Sequence, residues 1–295
     1  MTNPIFTGAA VAIVTPMRAD GTVNYETYRR LIDWQLENGT AAIVACGTTG
    51  ESSTLTDEEH VEVIRYAVQR VNGRVPVVAG TGSNDTAYAL ALSAQAKADG
   101  ADALLMVTPY YNKTSQAGLV NHFTYIANRV DLPIILYNVP SRTGVDIKPE
   151  TYLALSKHPG IVGIKEANDN IAAAAKTMSL CGDSLALYSG NDNQIVPFMS
   201  LGGQGVISVL ANIMPRVVHD ICTEYVNGKP GESLALQLEY LPLCNALFCD
   251  VNPVPVKRAL NLMGVDVGEC RMPLAPLSAE NEQLLIYAMK DVGLL

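Results

Sequence analysis

The segment IVGIKEAN, residues 161–168, ends an apolar, β-branched run on a lysine, Lys165. A buried ammonium is costly unless a counter-charge pairs with it or it gives up its proton. Strand alternation puts Ile161, Gly163 and Lys165 on one face and Val162, Ile164 and Glu166 on the other, with Gly163 leaving space beneath the lysine. In the run LPIILYN from Leu132, Ile135 and Tyr137 share a face. If the two strands are neighbours, a phenol and an amine converge, giving a nucleophile beside a proton carrier. Held in apolar surroundings, a lysine falls below its ordinary pKa of about 10.4 and, as the free amine, forms a Schiff base with a ketone. Read from its strand alone, Lys165 could equally point outward or pair with a carboxylate.

Other polar groups cluster at the ends of similar runs: GTTGES (Gly47 to Ser52), PYYN (Pro109 to Asn112), YNVPSRTG (Tyr137 to Gly144) and YSGND (Tyr188 to Asp192). GTTGES reads either as a turn before a helix capped by Thr56 or Asp57, or as a cradle in which hydroxyls and backbone N–H groups receive an anion. Tyr110 and Tyr111 read as an aromatic rim or a subunit contact. Arg142 reads as a solvated loop arginine, and Asp192 as a turn or cap residue.

The elements that must position these groups follow from hydropathy. Eight short apolar runs recur, beginning near Ala9, Ala41, Val75, Ala101, Leu132, Gly160, Leu185 and Gly205. Segments such as NYETYRRLIDWQLENG and DTAYALALSAQAKADG lie between them, with apolar residues three and four apart and a closing glycine. Strands apolar on both faces, alternating with amphipathic helices, predict a parallel sheet covered by helices, and eight such units close into an α/β (β/α)8 TIM barrel. In a barrel of this kind chemistry sits at the C-terminal strand ends, where all four clusters and Lys165 fall. From about Met214 only helical patterns follow, which predicts a barrel over residues 1–228 and a C-terminal helical extension over 229–295.

The 295 residues are 48% apolar and 17% charged, with a net charge of −9. An acidic chain is a poor surface for nucleic acid or an anionic membrane, since both need clustered Lys and Arg. No apolar run approaches a membrane span, and MTNPIFTGAAVAIVTPM lacks the basic start and cleavage site of a leader, so cytoplasmic residence is expected. The cysteines at 46, 181, 222, 244, 249 and 270 form no CxxC pair and read as reduced thiols. The four histidines have no metal-ligand spacing, so no metal is expected.

Taken together and in this order, GTTGES, TPYYN, YNVPSRTG, GIKEAN and YSGND resemble the pyruvate-dependent class I aldolase superfamily typified by N-acetylneuraminate lyase. With NPVPVK (Asn252 to Lys257) the set closely resembles its dihydrodipicolinate synthase branch, over nearly the whole chain. The resemblance implies that Lys165 forms an imine with pyruvate and that Tyr137 relays protons there. It implies a hydroxyl chain of Thr48, Tyr137 and Tyr111, with Tyr111 reaching into a neighbouring subunit of a homotetramer. Thr48 and Thr49 would hold the pyruvate carboxylate, Arg142 the carboxylate of L-aspartate 4-semialdehyde, and Gly190 and Ile207 would line the pocket. No external cofactor is implied, the covalent imine serving instead. The product would be 4-hydroxy-tetrahydrodipicolinate, on the route to diaminopimelate and lysine.

Some members of that branch are inhibited by lysine at a subunit interface. Ser52, Ser53, His60, Asn84 and Tyr110 fit that site, but Asp57 stands where sensitive members often carry histidine and Tyr88 where they carry glutamate. Weak or absent lysine inhibition is therefore expected. The rival readings are a related aldolase or lyase acting on a sugar acid, a barrel that only binds a ligand, and a phosphate-handling barrel suggested by LGGQG (Leu201 to Gly205).

Overall fold

A computed structural model describes residues 3–295; residues 1 and 2, which begin the segment read as lacking a leader, lie outside the described residues. Eight parallel strands close into a barrel in chain order: β1 (Gly8–Ala12), β2 (Ala42–Ala45), β3 (Val77–Gly80), β4 (Ala103–Val107), β5 (Ile134–Asn138), β6 (Ile161–Glu166), β7 (Ala186–Ser189) and β8 (Gly205–Ser208). Each falls on one of the eight expected runs, with β1 beginning one residue earlier, at Gly8. The runs are apolar throughout because both faces are covered. Inward residues such as Ala10, Val44, Leu105, Ile135 and Ile207 fill the barrel, while Val11, Ile43, Leu104 and Leu136 pack against the surrounding helices.

The helices start and stop where local chemistry dictates. Thr56 caps Asp57–Val71 in a reciprocal capping box with Glu59, and Asn24 caps Tyr25–Glu37. Past the helix ends Gly39 and Gly100 take φ of +83° and +91°, a conformation that costs glycine little. LGGQG is a tight turn into β8, where a Cβ on Gly205 would lie 1.9 Å from the Gly8 carbonyl oxygen, so backbone proximity explains that glycine. Among the described residues no helix is long and apolar enough to cross a membrane. The six cysteines are free, four of them buried.

Strict alternation fails at the start of β6. Ile134 pairs with Ile161 but Ile135 pairs with Gly163, so Val162 is an extra residue in a β-bulge. Ile161 therefore joins Ile164 in the outer core instead of sharing the face of Lys165, which corrects the expected pattern. Downstream of the bulge Tyr137 is the register partner of Lys165. The space beneath the lysine is filled by Tyr188, whose Cε2 would lie 3.4 Å from a Cβ on Gly163. Tyr188 is itself fixed by stacking on Phe6 at 4.3 Å and by donating to the Phe6 carbonyl at 2.8 Å.

Beyond β8 come helices Pro215–Val226, Pro230–Glu239, Leu241–Ala246, Val254–Leu262 and Ala279–Asp291. The helical pattern SLALQLEYLPLCNALF is split at Tyr240, because Pro242 has no N–H to donate and is accommodated in the first turn of a new helix. The extension is bolted to the GTTGES loop by a fully buried ion pair, Lys257 Nζ to Glu51 Oε1 at 2.7 Å. The other two lysine donors reach the carbonyls of Glu269 at 2.9 Å and Thr15 at 3.2 Å. Glu51 Oε2 accepts from the Arg271 backbone N–H at 2.8 Å. Removing one partner leaves the other charge dry and unpaired. Lys257→Met is expected to cost about 3–5 kcal/mol in chemical denaturation, whereas Glu51→Gln with Lys257→Met together should cost less than Lys257→Met alone.

Candidate active site

Lys165 ends β6 at the C-terminal mouth of the barrel and is only 6% exposed. Unlike Lys257, it takes part in none of the ion pairs among the described residues, which removes the reading of a lysine paired with a carboxylate. Loss of solvation brings its pKa down from 10.5 to about 8; Asp192 pulls the other way and Arg142 adds to the lowering. At pH 7 roughly one molecule in ten then carries a free amine, against roughly one in several thousand for an unperturbed lysine.

Tyr137 adjoins it on β5, with Lys165 Nζ 4.3 Å from the ring centroid. Burial pushes the Tyr137 phenol up, while Arg142 and a hydrogen bond with Thr48 pull it down. The phenol stays protonated at neutral pH and can pass a proton at the lysine nitrogen.

The loop after β2 supplies the cradle. Gly50 N–H donates to the Gly47 carbonyl at 3.0 Å and Glu51 N–H to Thr48 at 3.1 Å, closing a tight turn, and the Thr15 hydroxyl donates to the Gly50 carbonyl at 2.7 Å. The backbone N–H groups of Thr48 and Thr49 make no hydrogen bond among the described residues, so both are free to receive an anion. Thr49 is buried, and its Oγ1 accepts from Asn252 Nδ2 at 3.0 Å.

Arg142 sits on the short helix Pro140–Thr143, with Nη2 donating to the Asn252 carbonyl at 3.3 Å. The residue is exposed, as the solvated-arginine reading expects, yet its charge lowers the pKa values of both Lys165 and Tyr137. Gly190 follows β7 and donates to the Glu166 carbonyl at 2.7 Å; a Cβ there would lie 2.6 Å from that of Ala167. Ile207 faces the barrel interior on β8. Asp192 caps backbone: its Oδ2 accepts from the N–H groups of Val209 and Leu210, both at 2.9 Å.

Tyr111 is not brought to this cluster within the chain. It is 91% exposed, in the left-handed region with φ +67°, and no hydrogen bond joins it to Thr48 or Tyr137 among the described residues.

The residues expected at a lysine site are neighbours in part. Ser52 and Ser53 lie on the turn Ser52–Thr54. His60 is buried, its Nε2 2.8 Å from the Gly80 carbonyl, and burial holds it below the usual histidine pKa. The Asn84 carbonyl accepts from Asn112 Nδ2 at 3.0 Å, and Tyr110 is partly exposed. The two departing residues bond to each other, the Tyr88 hydroxyl donating to Asp57 Oδ1 at 2.7 Å.

Two features had no place in the sequence reading. One is the set of ties from NPVPVK to Thr49, Glu51 and Arg142; opposite charges in two separate motifs, Glu51 and Lys257, were the available signal. The other lies behind β6, where buried Glu166 accepts from Asn138 Nδ2 at 2.9 Å, Tyr152 at 3.0 Å and the Asn168 N–H at 3.0 Å. Burial pushes its carboxyl up to about 7. It fastens the end of the lysine strand from outside the barrel.

Residues 5–291 match the model of the dihydrodipicolinate synthetase family. The chain belongs to that family. It is 56% identical over 292 residues to the 4-hydroxy-tetrahydrodipicolinate synthase of Lachnoclostridium phytofermentans, covering 99% of each chain. The solved chloride-inhibited dihydrodipicolinate synthase from Acinetobacter baumannii, in complex with pyruvate, is 44% identical with a TM-score of 0.96, covering 98% of this chain and 99% of its own. The lysine-bound enzyme of Cyanidioschyzon merolae is 40% identical with a TM-score of 0.96, covering 99% and 100%.

The depressed lysine carries a stability cost with a definite sign. Its folded pKa of about 8 lies below the unfolded value of 10.5, so the cost is fully present below pH 8 and vanishes as pH rises to 10.5. Lys165→Met is expected to stabilise the fold by about 2–3 kcal/mol at pH 7, with the gain shrinking above pH 8, as followed by denaturation at several pH values.

Proposed function

We propose that the chain condenses pyruvate with L-aspartate 4-semialdehyde to give 4-hydroxy-tetrahydrodipicolinate, the committed step toward diaminopimelate and lysine, as a lyase of the Schiff-base class. The observation that carries this reading is a buried lysine without a counter-ion, in register with a tyrosine, in a chain that matches the family model over residues 5–291. The neutral Lys165 amine attacks the pyruvate ketone, and loss of water leaves an iminium. Loss of a methyl proton gives the enamine, which adds through carbon to the aldehyde. The amino group of the second substrate then attacks the imine carbon, closing the ring and releasing Lys165. Tyr137, whose register partner is Lys165, carries protons at the nitrogen and at the leaving water. No external cofactor is required, because the iminium is the electron sink.

Thr48 and Thr49 hold the pyruvate carboxylate through hydroxyls and unpaired N–H groups, Gly190 and Ile207 bound the pocket, and Arg142 receives the carboxylate of the aldehyde. Arg142 also favours this reading over the sugar-acid alternative, since a short anionic aldehyde needs a cationic partner where a polyol needs neutral ones. The protein works in the cytoplasm as a homotetramer, with Tyr111 projecting into a neighbouring subunit to complete the hydroxyl chain. Its exposure supports that role: the backbone is held within the chain by the Asn112 N–H donating to the Tyr110 carbonyl at 2.8 Å, while the ring stands in solvent, free to reach a neighbour.

Lysine inhibition is weak or absent. Tyr88 supplies no negative charge for a lysine ammonium, and its hydroxyl is committed to Asp57. Steady-state assays should show little loss of rate with millimolar lysine; clear inhibition at sub-millimolar lysine would contradict this.

Incubation with pyruvate and borohydride followed by peptide mass mapping should place one reduced pyruvyl group on Lys165. In a separate sample without borohydride, aspartate semialdehyde should turn over with pyruvate, and Lys165→Ala should lose activity on the order of 10³-fold or more. A wild-type chain that forms no adduct, under conditions that label another pyruvate aldolase, would refute the mechanism.

A further inference from the structure

The NPVPVK turn lies outside the strand repeat, yet it touches both loops assigned to the two carboxylates. Asn252 is 6% exposed. Its Nδ2 donates to Thr49 Oγ1 at 3.0 Å, and its backbone carbonyl accepts from Arg142 Nη2 at 3.3 Å. Because Thr49 Oγ1 accepts this bond, its own proton is left to donate elsewhere, toward the cradle. The turn is rigid: Lys257 N–H donates to the Pro253 carbonyl at 3.0 Å, and Lys257 Nζ anchors it to Glu51 at 2.7 Å. Asn252 Oδ1 meanwhile has no hydrogen-bond partner. A buried acceptor left unpaired works against stability, so packing is a poor reason for an asparagine here.

We infer that Asn252 is a positioning residue that sets the Thr49 hydroxyl as a donor to the first substrate's carboxylate and Arg142 as the receiver of the second's. Resting on the reading of Thr49 and Arg142 given above, this makes the C-terminal extension part of the site. One residue then governs the affinity of the site for both substrates, and the chemical step at Lys165 is touched only indirectly.

The test measures KM for pyruvate and for aspartate semialdehyde, kcat and the thermal midpoint in Asn252→Ala and Asn252→Asp. Asn252→Ala should raise both KM values roughly 5- to 20-fold, leave kcat within about threefold and leave the thermal midpoint nearly unchanged. Asn252→Asp keeps the volume but draws the Thr49 proton onto its own carboxylate and adds charge beside Arg142, so it should raise the pyruvate KM further than alanine does. This variant carries the test if the alanine variant folds poorly. In a Thr49→Val background Asn252→Ala should add little to the pyruvate KM. KM values within twofold of wild type in both variants, or an undiminished pyruvate effect in the Thr49→Val background, would overturn the inference while the wild-type adduct on Lys165 left the reaction standing. A wild-type chain without that adduct would overturn both.

Discussion

An ammonium group held in a dry barrel is the constraint on which the rest of the site depends. Among the described residues two lysines are deeply buried, and they are treated in opposite ways. Lys257 receives a carboxylate and two carbonyls, so that each of its donors is satisfied. Lys165 receives a tyrosine ring, with the Asp192 carboxylate and the Arg142 guanidinium acting on it in opposite senses. The first arrangement stabilises a charge, and the second makes the charge easy to lose. Burial alone therefore does not mark a lysine as a nucleophile; burial without compensation does.

Keeping Lys165 uncompensated requires the barrel around it to be built carefully. The bulge at Val162 sets the register that puts Tyr137 opposite Lys165, and Tyr188 fills the void that Gly163 would otherwise leave below. Glu166, one residue on, faces the other way and is caught by three donors behind the sheet. The end of β6 is thus gripped from outside while its inner side chain stays unpartnered. The cradle loop is held by similar logic, since Glu51 at φ +56° keeps its place through a buried ion pair with the extension.

Much of this was legible in the residues. The eight strands followed from apolar runs at even spacing, and the polar clusters fell at strand ends because nothing else in those runs is polar. Lys165 stood out for the same reason. The face of Ile161 was misread because a bulge depends on pairing with β5, and no local pattern in IVGIKEAN encodes its partner's register. The break at Tyr240 was foreshadowed by Pro242. The ties among Asn252, Lys257, Glu51 and Thr49 span some two hundred positions, and separation of that kind hides from any periodicity. Tyr111 shows the converse: its motif drew notice, but a single chain leaves the side chain in solvent.

The most direct measurement is the pH dependence of the rate at which pyruvate forms the imine in a rapid-mixing experiment, read before any second substrate is added. A depressed lysine requires that rate to rise with pH and level off with a midpoint near the folded pKa of about 8. A rate still climbing tenfold per pH unit beyond pH 9 would mean that Lys165 keeps an ordinary ammonium in the folded protein, and that the dry barrel does not produce the nucleophile.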